Sequence, residues 1–147
     1  MKKRILAITV FIIFSMATVA MARDELVHFP IENAFISLKF KNEINPNIQL
    51  FWGEQNHPEV KTTFGEFKTS QRTNAFGKAR EDACQWALAS SLKELQERAS
   101  IEGGNAVINI KSNIKNMEKS STSEYDCLVG RMMVNVALKG TIVKLAE

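Results

Sequence analysis

The chain has 147 residues, of which 45% are apolar and 24% charged, with 7 Gly, 3 Pro and 2 Cys. This composition fits one folded domain and excludes a disordered, collagen-like or multi-span membrane protein. The formal charge of +3 comes entirely from residues 2–4, because the rest of the chain carries 16 basic and 16 acidic side chains. A neutral chain lacks the basic excess that nucleic-acid binding needs, so we expect no nucleic-acid partner.

Residues 1–22 have the pattern of a cleaved export signal. Three basic residues at 2–4 precede an apolar run over 5–14, and Ala20-Met21-Ala22 matches the small-residue cleavage pattern. We predict cleavage after Ala22 and a mature domain of residues 23–147 in the periplasm or outside a bacterial cell. The alternative is an uncleaved anchor, but the apolar run is too short for a membrane core of about 30 Å. No stable membrane anchor is therefore expected after cleavage.

The first part of the mature chain predicts one short helix and two strands. Pro30 can begin an amphipathic helix, which would bury one apolar side: Ile31, Ala34, Phe35 and Leu38. Strands are predicted over 48–52 and 60–69, because bulky apolar residues recur there between turn-forming residues at 53–58.

The strongest predicted element is a helix from Lys78 to about Ser100. This segment contains no Gly or Pro and is rich in Ala, Leu, Glu, Gln, Lys and Arg, which favour helices. Apolar residues recur at helical spacing and predict a buried face: Cys84, Ala87, Leu88, Leu92, Leu95 and Ala99. Gly103-Gly104 ends the helix, since glycine accepts the left-handed conformation of a C-terminal cap.

The last third of the chain predicts two further strands and a short terminal one. A strand over 106–110 is followed by a polar hairpin loop at 112–123 and a long strand over about 124–139, and Gly140 separates the latter from 142–145. The order β-β-α-β-β predicts an α+β fold, in which a small antiparallel-rich sheet has one main helix packed on one face. The expected core residues are Trp86, Leu88, Leu92, Leu95, Ile108, Val134 and Val136.

The mature sequence shows no metal, cofactor or catalytic pattern. His28 and His57 have no metal-ligand spacing with each other or with cysteine. Cys84 and Cys127 are too distant in sequence for a zinc or redox CxxC pair. His57 precedes Pro58 in a predicted turn, where a solvated histidine is the ordinary interpretation. We therefore expect no cofactor and no catalytic residue.

A possible anion or ligand site is predicted where the main helix begins. Gly77-Lys78 does not complete a phosphate loop, because the first glycine of that motif would fall at Arg72. Arg72, Lys78 and Arg80 nevertheless lie close to the free backbone N–H groups of a helix start, which favour anions. With His57 they form the candidate site, and the alternative is a solvated basic loop.

Seven short blocks of the chain carry a resemblance: residues 52–53, 57–58, 69–78, 82–86, 103–110, 125–127 and 136–140. They resemble a family of small secreted proteobacterial proteins of unknown function. Some members carry the description "excinuclease ATPase subunit", which this chain contradicts because it has neither a phosphate-binding loop nor zinc-type cysteine pairs. More distantly, the chain is similar to heavy-metal-binding-like α+β domains and to the stress-sensor lipoprotein of the Rcs phosphorelay, which implies fold alone.

Export would place both cysteines in an oxidising compartment, where two cysteines of a small domain usually pair. We predict a disulfide between Cys84 and Cys127 that ties the helix to the long strand. The apolar positions of that strand are even-numbered from Met132 onward, and strand side chains alternate. Cys127 can therefore face the helix only if a bulge or kink, for which Gly130 is suited, shifts the phase. The alternative is two free, buried thiols.

These observations favour a non-enzymatic exported protein that binds an envelope or periplasmic partner protein or another envelope component. The second hypothesis is a periplasmic module that binds a small ligand, an anion or a metal near the helix start or His57. A hydrolytic enzyme is the third, and it is disfavoured because general acid–base chemistry needs a positioned pair that the sequence does not show.

Overall fold

The computed structural model describes residues 23–147, so the predicted export signal at 1–22 lies outside the described residues. One sheet of seven strands carries one main helix, and two short helices lie near the beginning of the fold. In chain order the elements are β1 (Glu25–Pro30), α1 (Ile31–Ile36), α2 (Leu38–Glu43), β2 (Gln49–Trp52), β3 (Val60–Asn74), α3 (Arg80–Glu102), β4 (Ala106–Ile114), β5 (Met117–Lys119), β6 (Glu124–Val129) and β7 (Met133–Leu145). None of the helices in this part of the chain is long and apolar enough to cross a membrane.

β7 is the central strand of the sheet. β3 pairs with β7 antiparallel along one side, while β4 and β6 pair with it in succession along the other side. β1 pairs with β6, whereas β2 and β5 both pair with β4. The β2–β4 pairing is parallel and the others are antiparallel. The mixed α/β architecture with one main helix is as predicted, but the element order is longer than β-β-α-β-β.

α3 covers one face of this sheet because its apolar residues share one side. Five of the seven predicted core residues are fully buried between α3 and the sheet: Leu88, Leu92, Leu95, Val134 and Val136. The hydroxyl of Ser91 donates a hydrogen bond of 2.8 Å to the carbonyl oxygen of Val136, which satisfies a polar group inside this interface. Gly103 ends the helix with φ +83°, as the sequence predicted.

Two predicted core residues are only partly buried. Trp86 lies at one edge of the helix face, where it lines a small cavity beside Phe40 of α2. The prediction for Ile108 was wrong, because Asn109 has φ +50° and the β4–β7 register shifts there. Val107 and Ile110 therefore join the core under α3. Ile108 instead packs against a second, smaller cluster: Ala106, Val143 and Leu145.

The N-terminal segment contains a strand that the sequence did not predict. β1 pairs with β6 from Glu25 opposite Val129 to Pro30 opposite Glu124. The helix predicted from Pro30 is split in two, because Ser37 has an extended backbone with ψ 126° between α1 and α2. The residues of β1 are mostly exposed, and apolar and polar side chains alternate in it only weakly. The strand is therefore recognised from its pairing with β6 and not from its own sequence.

The long strand predicted over 124–139 is two strands joined by a tight hairpin. Within that turn the N–H of Gly130 donates to the carbonyl oxygen of Met133 at 2.8 Å. Met132 was predicted to share the buried side, but it lies in the turn and is 61% exposed. β7 passes through Gly140 without interruption, because a glycine at this position leaves room for the side chain of Val107.

Two further boundaries differ from the predicted ones. β3 continues past Thr69 to Asn74, so the segment before the main helix is a strand rather than a loop. The polar segment 112–123 holds a hairpin, in which β4 and β5 are joined by the two residues Lys115 and Asn116. Both have positive φ, +53° and +60°, as the favoured two-residue hairpin turn requires.

Candidate functional site

The predicted disulfide is present and ties α3 to β6. Cys84 and Cys127 are both fully buried, and their Cα atoms lie 6.0 Å apart. The required phase shift occurs at Gly130, but as a hairpin rather than a bulge. Val129 of β6 lies opposite Val134 of β7, and opposed residues in an antiparallel pair share a face. Odd positions of β6 and even positions of β7 therefore both face α3.

The opposite face of the sheet, which we call the open face, is polar along the first half of β7, and the smaller apolar cluster of Ala106, Val143 and Leu145 covers its other end. Since β7 side chains alternate and Val136 faces α3, Asn135, Ala137 and Lys139 lie on the open face. Their partners on β3 share that face. These β3 residues are Lys68, Ser70 and Arg72. The charged groups of the open face fall into three clusters, and in two of them the positive and negative charges form ion pairs with each other.

The first cluster joins four strands through two lysines and two glutamates. Lys139 Nζ lies 2.6 Å from Glu118 and 2.7 Å from Glu66, and Lys111 Nζ lies 3.1 Å from Glu118. Hydrogen bonds from Lys139 and then Lys111 hold the pKa of Glu118 below its ordinary value. The hydrogen bonds to Glu118 and Glu66 raise the pKa of Lys139. Each charge in this cluster therefore has a partner of opposite sign.

The second cluster is centred on a buried carboxylate that the sequence did not single out. Asp126 of β6 lies opposite His28 of β1, with its Oδ1 2.6 Å from His28 Nδ1. Lys119 Nζ lies 3.3 Å from the same carboxylate oxygen and compensates its charge. Sequence reasoning missed this cluster because the three residues lie on β1, β5 and β6, and neither β1 nor β5 was predicted.

The third cluster lines a groove of about 470 Å³ that is open to solvent. We call it the sheet groove, and its defining polar residues come from β3, β4, β7 and the β4–β5 turn: Lys68, Arg72, Asn113, Lys115, Asn116 and Asn135. Asp24 is the single carboxylate among its lining residues. The groove thus brings together three cations and three side-chain amides against one acidic group.

The cations of the sheet groove differ from the other lysines of the open face in having no carboxylate partner. Lys68 Nζ donates only to the amide oxygen of Asn116, at 3.4 Å. Arg72 and Lys115 make no side-chain hydrogen bond or ion pair with any other residue of the described chain. Lys115 also holds a left-handed backbone, which costs a non-glycine residue about 1 kcal/mol. The groove therefore has three cations against one carboxylate, Asp24, beside two clusters whose charges are paired.

Of the residues predicted for an anion site, only Arg72 lines the sheet groove. Lys78 lies exposed in the connection between β3 and α3. Arg80 is the first residue of α3, and its guanidinium lies 2.8 Å from Glu25 of β1. An anion at the start of α3 would therefore compete with an existing ion pair, and this part of the site stays a prediction.

His57 lies in the connection between β2 and β3, at the other end of β3 from Arg72. Its Nδ1 is 2.8 Å from the carbonyl oxygen of Pro58, and its ring meets Phe51 edge-on at 5.6 Å. About twelve strand residues at 3.3 Å each separate His57 from Arg72, roughly 40 Å along the chain. The structure therefore does not bring His57 together with the basic residues.

Neither a metal site nor a known relative assigns a function to the sheet groove. Within residues 23–147, no group of three or more His, Cys, Asp or Glu side chains is placed to hold a metal ion. Comparison of the chain with protein-family models, curated proteins and solved structures finds no match. The resemblance to small secreted proteobacterial proteins stays a prediction, so function must be argued from the sheet groove.

Proposed function

We propose that the chain is an exported, non-enzymatic protein of the bacterial envelope that binds an anionic envelope component in the sheet groove. The observation that carries the proposal is the convergence of Lys68, Arg72 and Lys115 without carboxylate partners. Guanidinium and ammonium groups hydrogen-bond strongly to phosphate and carboxylate oxygens. The side-chain amides of Asn113 and Asn116 supply further donors, whereas Asn135 Nδ2 already donates to Ser70 and to the carbonyl oxygen of Gln71.

The size of the groove limits what it can hold. A volume of about 470 Å³ accommodates one small anionic group with its immediate neighbours, and the open side lets that group belong to a larger molecule. This favours a phosphorylated or carboxylated headgroup over a whole protein surface. One site can therefore satisfy both hypotheses, because the small anion that it binds can be part of a larger envelope component.

Titration with glycerol phosphate, followed by amide shifts in NMR, tests the groove. Arg72→Gln and Lys115→Gln should each weaken binding at least about tenfold, because each removes a charge-assisted hydrogen bond. Lys61→Gln is the matched control, since Lys61 is an exposed β3 lysine paired with Glu59 and outside the groove. Equal binding by the groove variants, or no shift at groove amides, would contradict the proposal. Unchanged thermal melts exclude unfolding as the cause.

The export part of the proposal is supported by the buried disulfide, since disulfides persist in oxidising compartments. Mass spectrometry of the protein recovered from the periplasm or medium should find Arg23 as its first residue. The physical reason is that the small residues at 20 and 22 fit the signal-peptidase cleft. A recovered product that retains residues 5–14 would refute the export signal.

A further inference from the structure

We propose that one end of the molecule docks on an anionic phospholipid surface, so that the sheet groove receives a headgroup phosphate. We call this end the amphipathic tip: Phe76, Lys78, Arg131, Met132 and Met133. The inference rests on the proposed function and names the source of its anion as a lipid bilayer. It is carried by the exposure, charge and adjacency of residues in two loops.

The two loops of the tip are held together by the backbone. The connection 75–79 leads from β3 to α3, and the turn 130–132 joins β6 to β7. The N–H of Ala75 donates to the carbonyl oxygen of Met132 at 2.8 Å, and Asn74 lies opposite Met133 in the β3–β7 register. Apolar residues more than fifty positions apart in sequence are therefore neighbours at one end of the sheet.

The apolar side chains of the tip are exposed. Phe76 is 78% exposed, Met132 61% and Met133 44%. Full burial of one such side chain is equivalent to about a tenfold to hundredfold change in an equilibrium constant. Large apolar side chains clustered at one exposed end mark an interaction surface rather than a random scatter.

The tip also carries two cations. Lys78 and Arg131 are exposed and have no ion-pair partner in the described part of the chain. Among nearby acidic residues, Glu25 is held by Arg80 at 2.8 Å, and Glu81 accepts a hydrogen bond from Asn33. The remaining carboxylates of this end are Asp24, which lines the cavity beside Arg131, and Asp82, which lines the cavity on the α2 side.

The tip is continuous with the sheet groove. A second cavity of about 350 Å³ is lined by Arg131, Met132 and Met133 of the tip, and it shares four lining residues with the groove: Asp24, Arg72, Leu128 and Asn135. Apolar side chains that enter the boundary between headgroups and acyl chains would thus bring Arg72 to the level of the phosphates. Cations beside a shallow apolar insertion are the pattern of interfacial binding to anionic lipid.

The area of the tip favours a lipid surface over a protein partner. The three apolar side chains are 78%, 61% and 44% exposed, so at about 150–250 Å² for a whole large side chain they can bury at most about 460 Å², whereas a stable protein interface buries about 800 Å² on each side. A bilayer needs no such area, because each basic residue near an anionic surface strengthens binding about fivefold. The charge of the tip therefore complements an anionic bilayer.

Vesicle sedimentation tests the docking. The processed chain recovered after export should bind vesicles that contain phosphatidylglycerol at least tenfold more tightly than pure phosphatidylcholine vesicles, and salt should weaken the binding. Phe76→Ser and Met132→Ser should each reduce binding about tenfold, and Arg131→Gln about fivefold. Ile101→Ser, at a 77% exposed position near the end of α3, and Lys61→Gln are the matched controls and should bind as the parent does.

Fluorescence of a single introduced tryptophan measures insertion directly. Phe76→Trp should add a blue-shifted component when phosphatidylglycerol vesicles are present, relative to the spectrum of the parent chain. Ile101→Trp should show no vesicle-dependent shift, since it lies outside the tip. The difference between the two variants separates insertion at the tip from general adsorption.

Three outcomes would overturn the inference. These are no binding to phosphatidylglycerol vesicles, equal binding to neutral vesicles, and binding that the tip variants leave unchanged. A dimer that Phe76→Ser dissociates, without vesicle binding, would show instead that the tip joins two copies of the chain. Glycerol phosphate binding without vesicle binding would overturn the docking and leave the proposed function standing.

Discussion

Replacing Cys84 and Cys127 together by alanine is expected to lower the free energy of unfolding by about 4 kcal/mol. The bridged residues are 43 positions apart, and closing a loop of that length removes this much chain entropy from the unfolded state. Total stabilities of small domains are about 5–15 kcal/mol, so the loss is a large fraction. Because both sulfurs are fully buried, serine would add the cost of burying two hydroxyls, and alanine is the better replacement.

Urea denaturation with and without a thiol reductant measures this effect. Reductant should shift the parent protein towards the stability of the double variant and should leave the double variant itself unchanged. The unfolded, unreduced parent should react with no thiol reagent, since the described chain contains no free cysteine. Two reactive thiols per chain, or a loss below about 1 kcal/mol, would contradict the structural role of the bridge.

Leu92→Ala should destabilise the protein by about 2–5 kcal/mol, because it deletes buried methyl groups from a packed core. Leu92 is fully buried between α3 and the sheet, beside the other leucines of the same helix face. Thermal or chemical unfolding of the purified protein, monitored by circular dichroism, gives the change in free energy.

Ile101→Ala provides the matched control on the same helix. It also shortens an aliphatic residue to alanine, but position 101 is 77% exposed, so its effect should stay within about 0.5 kcal/mol. If Leu92→Ala fell within that same small range, the assignment of the buried face of α3 would be wrong.

The sheet groove could not be derived from the sequence, although its residue types were visible there. Arg72 was predicted to lie near a helix start, but β3 extends to Asn74, so the β3–β7 register decides which way it points. Asn113 and Lys115 fall in a segment predicted as a polar loop. Their approach to Arg72 depends on strand pairs that join distant parts of the chain, and no local pattern encodes such pairs.

Local backbone irregularities account for the wrong predictions about the core. A strand pattern gives the right face only while side chains alternate without interruption. The bulge at Asn109 put Ile110 on the α3 face while Ile108 stayed on the other face with Ala106, and the hairpin at Gly130 placed Met132 in a turn. In both cases one or two residues changed the face of every residue that followed.

The sequence by itself determined α3, its buried face, its cap at Gly103 and the pairing of the two cysteines. These features follow from helical spacing, from the conformational freedom of glycine and from the small number of cysteines, all of which are local or compositional. Only the tertiary structure decided the position of β1, the division of β6 from β7 and the convergence of three unpartnered cations. Those features depend on backbone pairing between residues up to about one hundred positions apart. The free energy of such pairing is the sum of many weak contacts between strands, so no single segment of the sequence predicts it.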